Sequence, residues 1–132
     1  MKWFHWNIES LTLENTAFRK VLYTGHHTQL VLMTLQPNED IGEEIHKDND
    51  QFFRFESGRW KCIIDGNEYE LRDGTAIIVP AGAKHNIINT SDSEVLQMYT
   101  LYSPAHHKDR TLRNTKAEAV ASEPEFDGTT TE

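Results

Sequence analysis

The stretch Gly74-Thr-Ala-Ile-Ile-Val-Pro-Ala-Gly-Ala-Lys-His85-Asn-Ile-Ile-Asn89 decides the fold. A glycine turn at Gly74 leads into a short apolar run, and Pro80 and Gly82 then form a second tight turn. The next run opens at His85. The segment therefore predicts two short strands joined by a turn, with an imidazole at the start of the second.

The same pattern of β-branched and aromatic runs separated by turn residues extends from about residue 18 to residue 102, without a long window of helical period. Asp65-Gly66 is a strong hairpin signal, because a type I′ turn needs a positive φ at both central residues. Several short strands at even spacing predict an all-β sandwich or barrel. The predicted strands are 19–23, 29–35, 51–55, 60–64, 68–71, 76–79, 86–89 and 95–101.

Composition narrows the possible partners of this 132-residue chain. Its 13 basic and 21 acidic residues give a formal net charge of −8, which disfavours nucleic acid and anionic membranes. Cys62 is the single cysteine, so an intramolecular disulfide and a cysteine-cluster metal site are both excluded. With no secretory h-region in the first ten residues, we expect a cytoplasmic protein that binds a small molecule.

The segment that contains His85 resembles the second sequence motif of the cupin superfamily at every defining position. The motif runs Gly74, five residues, Pro80, one, Gly82, two, His85, three, Asn89. In cupins this histidine is a metal ligand, so the resemblance implies that role for His85. It also implies the cupin double-stranded β-helix, a jelly-roll barrel.

The first cupin motif is present in altered form upstream. Counting back from Gly58, Gln51 stands where the family usually has a glutamate, and His46 matches the second histidine. Glu44 occupies the position of the first histidine. The resemblance, which covers about residues 18–116, therefore implies the ligand positions Glu44, His46, Gln51 and His85.

This set keeps the formal charge of the usual one, because the carboxylate has changed places with a neutral ligand. Two histidines and one carboxylate suit one divalent ion, and Zn, Fe, Mn and Ni all fit. The amide oxygen of Gln51 is then either a weak fourth ligand or a hydrogen-bonding neighbour. Glu44 is a candidate catalytic base as well as a ligand.

Three functions stay open within the family. The first is a sugar or sugar-phosphate isomerase, similar to the small cupins that resemble mannose-6-phosphate isomerases, with Lys84 or Arg54 meeting a phosphate. The others are an Fe(II) dioxygenase and a non-catalytic binding protein. Phe53, Phe55 and Met33 are expected to line the substrate pocket, although core filling is the default for inward apolar side chains.

The ends of the barrel carry further predictions. Strand 29–35 is apolar on both faces, so it is covered by another sheet or by a second subunit, which favours a homodimer. His106 and His107 are expected in a polar loop near a barrel end, which either contacts substrate or is simply solvated. The predicted organisation is an N-terminal strand or arm (1–17), the barrel (18–103), a loop and a short helix capped by Thr115 (104–123), and a disordered acidic tail (124–132).

Overall fold

The computed structural model describes residues 2–132 of the chain. It is mainly β structure, as the sequence predicts, with two short helices, of which only the second was predicted. The elements, in chain order, are α1 (Ile8–Glu14), β1 (Arg19–Thr24), β2 (Gln29–Leu35), β3 (Glu44–Ile45), β4 (Asp50–Ser57), β5 (Trp60–Ile64), β6 (Asn67–Leu71), β7 (Ala76–Val79), β8 (Lys84–Asn89), β9 (Leu96–Ser103), β10 (Leu112–Arg113) and α2 (Lys116–Ala121).

The strands form two antiparallel sheets, one of six strands in the order β10-β1-β2-β9-β4-β7 and one of four in the order β3-β8-β5-β6. Neighbours in each sheet are mostly distant in sequence, because the chain passes repeatedly from one sheet to the other. This is the predicted jelly roll. All eight predicted strands are present, and the two-residue strands β3 and β10 are additional.

A single apolar core fills the space between the sheets. Alternation along β4 and β9 turns every second side chain inward, and the buried residues of both sheets form one continuous cluster. Phe53, Phe55 and Cys62 have no exposed surface. At roughly 25 cal/mol per Å² of apolar surface removed from water, this core is the main source of stability.

The Asp65-Gly66 turn has the predicted geometry. Asp65 has a φ of 46° and Gly66 a φ of 83°, and residues Trp60 to Ile64 pair with Leu71 to Asn67 across the hairpin. Positive φ at both central positions is the type I′ requirement, so this prediction is confirmed.

The N-terminal segment differs from the prediction of a strand or arm over residues 1–17. Residues Ile8–Glu14 form helix α1, whose first turn is capped by the side chain of Asn7, which accepts a hydrogen bond from Ser10 N at 2.9 Å. The helix packs against β2, β4 and β9. It therefore covers part of the outer face of β2, where the sequence predicted a second sheet or a second subunit.

The C-terminal segment is only partly as predicted. Helix α2 begins after Thr115, whose hydroxyl accepts a hydrogen bond from Glu118 N at 3.2 Å, as expected. The disordered tail over 124–132 is a wrong prediction, because the tail pairs with the body of the protein. Thr131 N donates to Thr24 O at 2.8 Å, and Thr24 N donates to Thr131 Oγ1 at 2.8 Å.

Among residues 2–132, no helix has the length and apolar character needed to cross a bilayer.

Candidate metal centre

The local register of β3 and β8 brings two of the predicted ligands together. Glu44 on β3 lies directly opposite His85 on β8. Ile45 is 53% exposed, so the alternation of side chains along an extended segment turns Glu44 and His46 to the other side, toward the barrel. His46 and His85 are both buried.

Three predicted ligands form one cluster. The potential ligand atoms of Glu44, His46 and His85 all lie within 4.8 Å of one another. Two ligands of one ion at bond lengths of about 2.1 Å lie at most about 4.2 Å apart, so the side chains are close to ligand spacing. His46 Nε2 and Glu44 Oε2 are 2.9 Å apart and hydrogen-bonded.

The orientation of His85 suits a ligand. Its Nδ1 donates to the carbonyl oxygen of Ala83 at 3.1 Å, which leaves the lone pair on Nε2. That Nε2 is buried and has no hydrogen-bond partner among the described residues. A buried acceptor without a partner is costly, and a bound cation would satisfy it.

Gln51 has a similar unsatisfied atom. It is buried on β4, and its Nε2 donates to Thr100 Oγ1 at 3.0 Å. Its Oε1 is buried without a partner among the described residues. A divalent cation therefore fits the donor set of two imidazoles, one carboxylate and one unpaired amide oxygen.

The charges of the cluster favour a cation. Burial alone raises the pKa of Glu44, but the hydrogen bond and charge of His46, with Arg19 and His85, hold that pKa below its usual value. Burial lowers the pKa of His85. An ionised carboxylate beside a neutral imidazole is the protonation state that metal binding requires.

The three predicted substrate contacts lie in the core. Phe53, Phe55 and Met33 are all 0% exposed. The ring of Phe53 lies beside His85, with centroids 6.2 Å apart, and the ring of Phe55 stacks behind it at 6.0 Å. They form an apolar wall behind the cluster, and direct contact with a substrate stays a prediction.

The candidate phosphate contacts lie elsewhere. Lys84 is exposed and forms an ion pair with Glu43 at 3.1 Å. Arg54 lies on β4 between two inward-facing residues and pairs with Glu56 at 3.4 Å. Neither cation lines the cavity beside His46.

Sequence reasoning missed how closely the segment after β9 joins the site. The ring of His106 lies edge-on to that of His46, with centroids 4.3 Å apart, and stacks on the buried ring of Tyr102 at 5.3 Å. Burial, together with His107 and His46, lowers the pKa of His106 to about 4. The adjacent histidines were visible in the sequence, but their placement depends on a loop that no periodic pattern describes.

His107, the second histidine of the pair, is buried, and both of its ring nitrogens contact other side chains. His107 Nε2 lies 3.2 Å from the hydroxyl of Tyr102, and its Nδ1 lies 3.1 Å from Glu123 Oε1. Arg19 Nη1 lies 2.8 Å from the other oxygen of Glu123. This arrangement connects the inner wall of the site to helix α2 and leaves His107 unavailable as a metal ligand.

An all-β jelly roll with two histidines and a carboxylate gathered between its sheets defines a barrel protein with a candidate metal centre. A family model for the cupin domain matches residues 31–102, more than half of the chain. The chain therefore belongs to the cupin family.

Similar proteins agree with this assignment. The chain is 46% identical over 104 residues to the uncharacterized protein L612 of Acanthamoeba polyphaga mimivirus and 44% identical over 123 residues to the uncharacterized protein YrkC of Bacillus subtilis strain 168. These matches cover 76% and 89% of this chain, but 65% and 66% of the two relatives. A crystal structure of BH2720 from Bacillus halodurans superposes with a TM-score of 0.89 at 42% identity, covering 92% of this chain and 96% of that one.

Proposed function

We propose that this cupin binds one divalent metal ion and acts on a small molecule, with sugar isomerase-like chemistry of the mannose-6-phosphate isomerase-like type as the leading candidate. The observation that carries the proposal is the cluster of Glu44, His46 and His85 within 4.8 Å. Two buried atoms without partners, on His85 and Gln51, support it. Buried polar atoms in folded proteins nearly always have a hydrogen-bond partner, so two buried atoms without partners beside one cluster are best explained by a bound ion.

Each residue has a separate task in this proposal. His46, His85 and Glu44 hold the ion, and Gln51 Oε1 completes or flanks the set. When bound, such an ion polarises a carbonyl oxygen of the substrate. The hydrogen bond between His85 and Ala83 fixes the ring so that Nε2 faces the ion.

The setting of Glu44 supports the ligand role more than the role of a base. A carboxylate whose pKa is held below its usual value is a weak proton acceptor. The ring of His106 lies beside that of His46 and brings two further nitrogen atoms close to the cluster. The catalytic role of Glu44 stays a prediction.

The donor set also supports a second candidate function. Two histidines and one carboxylate are the ligands of many Fe(II) oxygenases, and the apolar wall of Phe53 behind His85 suits an apolar substrate. Oxygen uptake by the Fe(II)-loaded protein with a phenolic or thiol substrate distinguishes this function from an isomerase, which consumes none. A protein that binds metal without turnover would be a binding module.

The direct test is metal content. His46→Ala and His85→Ala are each expected to abolish stoichiometric Zn, Fe, Mn or Ni in protein purified without chelator, while the far-UV circular dichroism is retained. His26→Ala is the matched control, because this side chain is 69% exposed. Full metal content in both site variants would contradict the proposal.

Two further properties are proposed on general grounds. A cytoplasmic location is proposed because a single cysteine allows no intramolecular disulfide, which fits a reducing compartment. A homodimer is supported by three exposed apolar side chains, Trp3, Trp6 and Ile78, which are 79%, 70% and 68% exposed. Sedimentation equilibrium that gives the monomer mass at micromolar concentration would contradict the dimer.

A further inference from the structure

Hydrogen bonds from buried side chains fix the backbone of the loop after β9. Gln29 on β2 is fully buried, and its Oε1 accepts hydrogen bonds from the backbone N–H groups of His106 and His107 at 3.1 and 3.0 Å. Asn49 Nδ2 donates to the carbonyl oxygens of Pro104 and Ala105. The loop position of His106 is therefore fixed by buried side chains from two strand regions.

The side chain of His106 differs from the neighbouring histidines because both of its ring nitrogens are free of hydrogen bonds to the described part of the chain. His46, His85 and His107 each use at least one ring nitrogen in a contact with protein. Neither ring nitrogen of His106 has a hydrogen-bond partner among residues 2–132, although its backbone N–H does. The ring is fixed by stacking on Tyr102 instead.

His106 lines a cavity that is also lined by His46, one residue of the candidate metal centre. The cavity has a volume of about 310 Å³, and its walls include His46, Lys47, Asp48, His106, Glu125 and Phe126. His46 is thus shared by the cluster and the cavity. His106 does not belong to the cluster whose ligand atoms lie within 4.8 Å, so it is a neighbour of the site and not one of its ligands.

We propose that His106 is the residue that hydrogen-bonds the small molecule held at the metal centre, and that this molecule is an uncharged compound with hydroxyl or carbonyl groups. This inference rests on the proposed function. The two ring nitrogens of an imidazole can hydrogen-bond a hydroxyl group or the two ends of a hydroxy-carbonyl unit.

The charges around the cavity specify the ligand further. Its ionised side chains are Asp48 and Glu125, opposed by Lys47 alone. Recognition of a phosphate ester normally uses several Arg or Lys donors. The cavity therefore favours an uncharged ligand over its phosphorylated form.

The test uses acetohydroxamic acid as the probe, which has carbonyl and hydroxyl groups, is uncharged in solution at neutral pH, and releases its hydroxyl proton when it chelates Zn²⁺. The purified full chain is loaded with Zn²⁺, and the affinities for Zn²⁺ and for the probe are measured separately by calorimetry. His106→Ala should bind Zn²⁺ within about twofold of the wild type but the probe three- to tenfold more weakly, the size expected for one neutral hydrogen bond. His106→Gln, which keeps a donor and an acceptor, should recover part of the loss, and His26→Ala should show none.

A second measurement reports contact directly. In the Zn²⁺-loaded wild type, the probe should move the ¹⁵N chemical shifts of the His106 ring and leave those of His107 unchanged. Equal probe affinity in the wild type and in His106→Ala, or no probe binding by Zn²⁺-loaded protein, would overturn this inference. Failure of the wild type to bind Zn²⁺ would instead overturn the proposed function.

Discussion

Replacing Gln29 by Met tests whether one buried amide organises the loop of the site. Gln29 Nε2 donates to Thr24 Oγ1 at 2.9 Å and to His107 O at 2.8 Å. Its Oε1 accepts from the N–H groups of His106 and His107. The Met side chain has a similar length and shape, so the main change is the loss of these four hydrogen bonds.

The expected loss of stability follows from the number of hydrogen bonds removed. A hydrogen bond contributes about 0.5–1.5 kcal/mol net, so four give a loss of about 2–6 kcal/mol in the free energy of unfolding. The upper half of this range is more realistic, because the bonds to His107 lie in a buried region and leave backbone groups without partners. Such a loss is a large fraction of the ~5–15 kcal/mol that stabilises a typical domain.

Urea unfolding of the metal-free protein measures this cost. The control is Gln36→Met, because Gln36 is exposed and its side chain makes no hydrogen bond with the described residues, so a change within about 0.5 kcal/mol is expected. Hydrogen exchange should also become faster at the amides of His106 and His107. A loss below about 1 kcal/mol for Gln29→Met, with those amides still protected, would refute the reasoning.

Three other predictions concern different parts of the molecule. Gly58→Ala places a Cβ 2.9 Å from Val95 O at a φ of +116°, so it should lower the free energy of unfolding by at least about 2 kcal/mol in thermal unfolding. The control Gly82→Ala, where φ is +89° and no atom lies within 4 Å of the added Cβ, should lower it by about 1 kcal/mol. Equal losses would rule out the clash. Gln51→Glu should tighten Zn²⁺ binding at least tenfold in a chelator competition, because a second carboxylate adds charge at the cation; unchanged affinity would place Gln51 outside the coordination sphere. Burial keeps the pKa of His107 below 6.5, so only the unfolded chain takes up its proton just below that pH and stability falls as the pH drops. The metal-free His107→Gln variant should therefore lose less stability than the wild type between about pH 7 and about pH 5; parallel losses would contradict this assignment.

Local chemistry made much of the fold predictable. The Asp65-Gly66 turn and the Thr115 cap are determined by residues within a few positions, and the structure has both. Strand alternation also explains why Glu44 and His46 share a face. The resemblance to the family motif then predicted that His85 lies close to Glu44 and His46. No local sequence pattern can predict that contact.

The errors have a common physical cause. The hydrogen bonds between Thr131 and Thr24 join residues 107 apart in sequence, so the tail looks like a solvated polar segment until its partner is known. Helix α1 did leave a local signal in the Asn7 cap and in Ile8 and Leu11, but it is only seven residues long. Short elements such as this one depend on tertiary packing more than on propensity.

The candidate site combines residues on or next to strands with one residue in a loop. Strand β3, the residue that follows it, and strand β8 carry the ligand cluster, where pairing fixes Glu44 opposite His85. The imidazole proposed to hydrogen-bond the ligand, that of His106, lies in a loop that is held mainly by hydrogen bonds with the side chains of Gln29 and Asn49. Natural variation at position 106 can therefore change which ligand is bound without changing the metal site. Relatives with the same metal ligands need not bind the same small molecule.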